Sequence, residues 1–121
     1  MKFDKEEIRN RVRSVHKQAT NSVADVFATD VPDSTTRHVV AILVAGDGTN
    51  AILLTINRVD EDDAATAIAN LRVIATDNQW IPEAGMDIEQ DVVVLPAGHN
   101  LSAVTSANVC EVTVFYWDEN D

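Results

Sequence analysis

Beyond Asp91 the chain runs as short apolar and polar alternations broken by turn residues, a pattern that an antiparallel sheet satisfies and a helix cannot. Three strands are expected, over 91–95, 101–105 and 109–117, separated by Pro96-Ala97-Gly98 and Ser106-Ala107-Asn108. In the last of them Cys110, Val112, Val114 and Tyr116 share one face, while Val109, Glu111, Thr113, Phe115 and Trp117 share the other. The second face is the more polar and yet ends in two aromatics. Phe115 and Trp117 therefore need cover, either from the protein's own elements or from a partner, where aromatic anchors carry much of the affinity.

Upstream the period is less decisive. Residues 38–45 are apolar on both faces, as in a strand covered on two sides, and 51–58 alternates with Ile52, Leu54 and Ile56 on one face. Gly46-Asp47-Gly48-Thr49-Asn50 between them tolerates positive φ, so the two strands are expected to form a hairpin. The acidic run Asp60-Glu61-Asp62-Asp63 suits a helix N-terminus, and Ile68, Leu71 and Ala75 follow at helical spacing, which predicts a short helix over 64–75. A strand through Leu71, Val73 and Ala75 fits almost as well, and the alternative stays open. Pro82 and Gly85 mark a loop with Trp80 at its mouth.

The first seventeen residues hold six of the nine cationic side chains, Lys2, Lys5, Arg9, Arg11, Arg13 and Lys17, against three carboxylates, for a charge of +3. The remainder sets three cations against seventeen carboxylates, or −14. A helix is expected over 4–28, opened by Asp4 as N-cap with Glu7 three positions on. Ile8, Val12, Val15, Ala19, Ser22 and Val26 recur at steps of four and three and draw one narrow apolar seam along it. Such a seam packs on the protein's own sheet or self-associates, and Ile8, Val12, Val15, Ala19 and Val26 are the candidate oligomer seam. Pro32 breaks the helix. The expected organisation is an amphipathic helix over 1–29, a linker over 30–36 and a β-sandwich domain over 37–121.

Reaction chemistry finds little support. His16, His38 and His99 are scattered and Cys110 is alone, so neither a zinc site nor an intrachain disulfide is indicated, and no catalytic, metal or cofactor residue is assigned. Ser14-Val15-His16-Lys17 matches the Ser-x-x-Lys of the penicillin-recognising enzymes without their accessory motifs. Gly46-Asp47-Gly48-Thr49 lacks a nucleophilic Asp, since Ala45 stands in that position. The carboxylates at 60–63 do not follow calcium-loop spacing, and a solvated loop is the favoured reading over a cation site. Asn100-Leu101-Ser102 is a glycosylation sequon by pattern alone. A net charge of −11 repels polyphosphate from the body, so nucleic acid is not expected as a partner. No apolar run reaches membrane-spanning length and Met1-Lys2-Phe3-Asp4 does not begin a secretory signal, so a soluble protein is expected. Three Lys against thirteen Asp and seven Glu suit a high-salt host, although an acidic surface on a mesophilic protein accounts for them equally.

The segment 91–117, with Leu95-Pro96-Ala97-Gly98, a polar residue, Leu101, a short strand, the Ser106-Ala107-Asn108 turn and an alternating Val/Thr strand, resembles a strand-end pattern of small virion structural proteins of tailed viruses, of capsid decoration or head-fibre type. The likeness spans under a quarter of the chain. It implies an antiparallel β-sandwich of jelly-roll type, which together with the N-terminal helix read above makes a mostly β (α+β) protein. It also implies a non-enzymatic capsid decoration (cement) or minor capsid subunit on the virion surface, assembled in the host cytoplasm. Its partners would be further copies of itself, with a trimer favoured, and the major capsid protein or another virion protein. The residues expected to dock are Arg9, Arg11, Arg13, Lys17, Phe115 and Trp117. Two competing readings are a receptor- or carbohydrate-binding head-fibre module using Trp80, and a small cupin-like enzyme drawing on His38 and His99.

Overall fold

Strand pairing in the computed structural model, which describes residues 3–120, is nested from the outside inwards. After helix α1 (Lys5–Arg11) come β1 (Arg13–Ala19), β2 (Ala24–Asp25), β3 (Thr35–Ala45), β4 (Ile52–Val59), β5 (Ala65–Val73), β6 (Asn78–Ile81), β7 (Val93–Leu95), β8 (Asn100–Thr105) and β9 (Cys110–Asn120). β1 pairs with β9, β2 with β8, β3 with β6 and β7, and β4 with β5, every pair antiparallel. The further pairs β3–β9 and β4–β8 gather these ribbons into two sheets. The first sheet runs β1-β9-β3-β6, with β7 also on β3, and the second runs β2-β8-β4-β5. The fold is thus mostly β, a sandwich of two antiparallel sheets with one short helix.

The core lies between the sheets, where Val39, Ile42 and Val44 of β3 and Cys110, Val112 and Val114 of β9 face Ile52, Leu54 and Ile56 of β4 and Leu101 of β8. Full burial of each large aliphatic side chain contributes roughly 1.5–3 kcal/mol. Val39 and Ile42 are an odd number of positions apart and still share that core. An irregularity in the β3–β9 register between Val39 and Ala41 makes this possible, and it turns Val40 to the outer face. There Val40 joins Ile8 and Trp117 in a second, smaller cluster, so the run apolar on both faces is indeed a strand covered on two sides.

The N-terminal segment differs from the sequence expectation. The helix stops at Arg11, Val12 is already extended, and residues 13–19 are a strand of the first sheet. Val15 and Ala19 lie four apart, a spacing that fits a period of two as well as 3.6. The residues around them follow the strand pattern, with Ser14, His16 and Gln18 exposed. β-Branched Val12, Val15, Thr20, Val23 and Val26 lose side-chain freedom in a helix and favour this outcome. The expected seam is therefore divided. Ile8 and Val12 pack in the outer cluster, while Val15, Ala19 and Val26 pack in the main core. Ile8, Ala19 and Val26 are buried and Val12 and Val15 partly so, and the five line no common face.

The sandwich consequently begins at Arg13 rather than at residue 37, and 30–36 is no free linker. Val26 N donates to Leu101 O (2.8 Å), Val31 N to His99 O (2.9 Å) and Gly98 N to Val31 O (2.8 Å), which tie the segment to β8 and the turn before it. The expected hairpin of β3 with β4 is also absent, because these strands lie in different sheets. Residues 46–50 form a corner between the sheets, where a Cβ on Gly46 would stand 2.7 Å from Ala75 O and Gly48 N donates to that same oxygen (2.8 Å). A hairpin and a corner ask for the same residues, and periodicity cannot separate them.

The open choice over 64–75 resolves as strand β5. Ile68 is an extra residue opposite the Ile56–Asn57 step of β4, so Ile68 and Ala69 both reach the core along with Leu71 and Val73. The irregularity imitated helical spacing. The acidic run is the β4–β5 turn, where Asp63 takes φ +62° and Asp60 Oδ1 accepts from Asp62 N (2.9 Å) and Ala64 N (3.0 Å). No helix among the described residues is long and apolar enough to cross a membrane.

Candidate assembly surface

The docking residues expected from sequence gather on and beside the outer face of the first sheet, in unequal states. Helix α1 is well specified. Asp4 Oδ1 accepts from Glu7 N (2.9 Å), Glu6 and Glu7 occupy the first turn, and Arg9 and Arg11 occupy the last, as the helix dipole favours. Its single buried residue, Ile8, anchors it on Val40 and Trp117.

Trp117 is 1% exposed and thus lies within its own protomer. Phe3 meets it edge-on at 5.7 Å, and the His38 ring stacks on it at 4.1 Å and 7°. Phe115 is half-buried and stacks on Trp80 at 5.6 Å and 28°, leaving Trp80 as the more open member of the pair. The sheet's second face ends in two aromatics because one is roofed by α1 and the other by β6.

The four cations do not converge on one point. Arg11 and Arg13 line an open groove of about 460 Å³ with Asn10, Tyr116, Asp118 and Asn120. The Arg11 guanidinium sits 4.0 Å over the Phe3 ring and donates to Asp118 O (3.4 Å). Arg9 lines a separate shallow cleft with Met86, Asp87 and Ile88. Lys17 is half-buried on β1 opposite Val112, so its stem follows the core side of the strand. Lys2 lies outside the described residues. β1 is an edge of the first sheet, so Arg13, His16 and Lys17 line a strand whose far side has no sheet partner.

Two clusters escaped the sequence reading. His38 Nδ1 lies 2.9 Å from Asp91 Oδ2 and its Nε2 lies 3.0 Å from Glu119 Oε1, beside a small cavity of about 260 Å³ lined also by Ile88, Glu89 and Trp117. Carboxylates only accept, so both bonds form at once only when both ring nitrogens carry hydrogen. Arg37 is 8% exposed and forks onto Asp118 at 2.8 and 2.9 Å, with its guanidinium between the rings of Phe27 (4.4 Å) and Tyr116 (4.6 Å). Its signal was present: a charged residue beside a run apolar on both faces must have a partner.

The remaining polar motifs are committed to the fold. Asn100 is buried, accepts from Phe27 N (3.2 Å) and donates to Phe27 O (3.1 Å) and Asp30 Oδ1 (3.0 Å), so the sequon asparagine is a structural clamp. The amides of Ala64 and Asp62 hold the Asp60 carboxyl below the usual range, and the Asn50 side chain with the Asn50 and Thr49 amides does the same for Asp47. Burial, reinforced by Glu111 and Asp47, pushes the Cys110 thiol up to about 11, so it packs as a small hydrophobe and is a poor nucleophile. Among the described residues no group of three or more His, Cys, Asp and Glu is arranged to hold a metal ion. His38 faces outward from the first sheet, whereas His99 sits in the turn between β7 and β8.

No family model matches this sequence and no curated protein matches it. Similar solved structures do exist. The chain is similar to a protein in the structure of infectious bursal disease virus, Gx strain, with a TM-score of 0.51 and 13% identity over 91% of this chain and 32% of that one. It therefore spans about a third of the length of that chain. It is also similar to a pentameric capsid protein from metagenomic phage sequences (TM-score 0.43, 16% identity, 89% of this chain and 62% of that one). A third similar structure is the Drosophila NLP core, described with pentamer formation and histone binding (TM-score 0.49, 12% identity, 89% and 99%). At these identities the likeness concerns the fold.

Proposed function

We propose that this chain is a non-enzymatic structural subunit of a viral particle, a capsid decoration (cement) or minor capsid protein that self-associates and docks on the shell through its basic N-terminal segment. The observation that carries this reading is the charge division: Arg9, Arg11 and Arg13 stand exposed on a helix and an edge strand at one side of a body that is otherwise strongly anionic. The fold likeness to a viral protein over 91% of the chain supports it. So does the nested pairing, which has the form of one long antiparallel ribbon rolled into two four-position sheets when β6 and β7 are taken as two pieces of one position on β3. That is the arrangement expected of a jelly roll, an architecture found in viral capsids.

In this reading the virion surface is the site of action, the host cytoplasm the site of assembly, and the major capsid protein or another virion protein the docking partner. The expected oligomer is a trimer. Scarce lysine and abundant carboxylates suit a halophilic host.

The test is attachment to particles of the virus that encodes the chain. Purified chain should co-sediment with particles stripped of it, and Arg9→Glu, Arg11→Glu and Arg13→Glu together should abolish co-sedimentation at low salt while the circular dichroism spectrum stays native. Unchanged attachment of the triple variant overturns the docking assignment, and absence of the chain from intact particles overturns the virion reading.

A further inference from the structure

The outer face of the second sheet is open along β4 and β5, and its composition is unlike the rest of the molecule. β4, β5 and β8 contain no carboxylate, in a chain that has twenty, and the one that β2 brings, Asp25 opposite Ser102 at one edge, is balanced by Arg72 at the other. The pairing register puts Leu53 beside Arg72, Thr55 between Asn70 and Val104, and Asn57 between Ala67 and Ser102 on this face. Leu53 is 60% exposed, and Val23, which enters β2 at the far edge, is 67% exposed. Beside Leu53 lies an open groove of about 360 Å³ lined by Ala51, Ile52, Arg72 and Ser106. Its β8 row is closed, with Ser102 1% and Asn100 2% exposed, and the apolar cluster that α1 forms lies on the outer face of the first sheet instead.

We propose that this face is the contact between two copies of the chain, the second sheet of one packing against the second sheet of the other. The occupant follows from charge. At a net charge of −11, most ways of bringing two copies together set carboxylates against carboxylates, which costs contact free energy and is relieved only by salt. The neutral face avoids that opposition, and depletion of charge around exposed aliphatic residues is what the core of a protein interface looks like. The basic segment does not compete for this role, because it lies against the first sheet.

A patch that meets itself is isologous and closes at two copies. The assembly therefore holds an even number of chains: two of the expected trimers where the N-terminal segment closes a ring, and a dimer where it does not. This contact rests on the self-association in the proposed function and is independent of whether the partner surface is a capsid shell.

Light scattering on size-exclusion fractions across a concentration series reads the outcome directly. The wild-type chain should show an even copy number, and Leu53→Glu with Thr55→Glu should halve it, raising the dissociation constant at least tenfold, with the urea midpoint of the dissociated chain unchanged. Should that pair fail to fold, Leu53→Ser is the milder probe and should raise the dissociation constant in the same direction. An even-numbered or trimeric species that both variants leave intact removes this contact while self-association survives. A wild-type chain that stays monomeric at every concentration removes both.

Discussion

The two outer faces of the sandwich are made differently. That of the first sheet is finished by the chain itself: α1 lies across it, Ile8 and Val40 enclose Trp117, His38 stacks beneath, and β6 brings Trp80 onto Phe115. Charges there include a paired set, His38 with Asp91 and Glu119. That of the second sheet is closed along β8, at Asn100 and Ser102, while β4 and β5 carry few charges there and leave Leu53 open. The difference separates two jobs. One face spends its large side chains on the stability of the monomer, and the other keeps them available for contact.

The sharpest way to break this contrast is to remove the centre of the roof. Trp117→Ala deletes the largest fully buried side chain and leaves Ile8 and Val40 without a common partner. A loss of about 3–5 kcal/mol in urea unfolding is expected, as for other buried aromatics. That is a large share of the ~5–15 kcal/mol by which a domain is stable. A loss below about 1 kcal/mol would mean that the helix is a loose appendage and that the two faces are alike.

A smaller effect is expected at the helix start. Asp4→Ala removes the side chain that accepts from Glu7 N and should cost about 1 kcal/mol. Because α1 packs on the first sheet and on the loop around Ile88 and Glu89, the change should appear as faster hydrogen exchange in the amides of residues 8–12, with β4 and β8 unaffected. Equal acceleration in the second sheet would show that the roof and the core open as one unit.

How much of this was legible depends on which spacing each segment carried. The strands after Asp91 could be read directly, since their alternation ran unbroken between turn residues; β7, β8 and β9 lie where expected, and the two faces of β9 are as assigned. The N-terminal segment could not, because Val15 and Ala19 satisfy strand and helix alike and Ile8 belongs to a different cluster from Val26. Over β5 a single extra residue, Ile68, shifted the phase and produced a false helical spacing. Of the docking residues, the exposure of Arg9, Arg11 and Arg13 follows from charge alone, whereas the burial of Trp117 required knowing that α1 returns over β9. His38 with Asp91 and Glu119 was invisible because its members come from three separated segments, and only the β3–β9 and β3–β7 register brings them together.

The mildest change tests the contrast most cleanly, because it asks one question of both faces. Leu53→Thr removes apolar surface from a position that is 60% exposed, where water already reaches the side chain and a hydroxyl is readily solvated. The stability of the dissociated chain should then stay within about 0.5 kcal/mol of wild type, as for surface substitutions away from special features. Val40→Thr is close to the same alteration on the covered face. There the hydroxyl enters a fully buried site between Ile8 and Trp117, and the cost should be about 1–3 kcal/mol, the penalty for a buried polar group without a partner. Measured by urea unfolding at a concentration low enough to keep the chain dissociated, the two variants should differ by well over the experimental error. If Leu53→Thr costs as much as Val40→Thr, water does not reach Leu53 in the free chain, the second sheet has a roof of its own, and the open face assigned to self-contact does not exist.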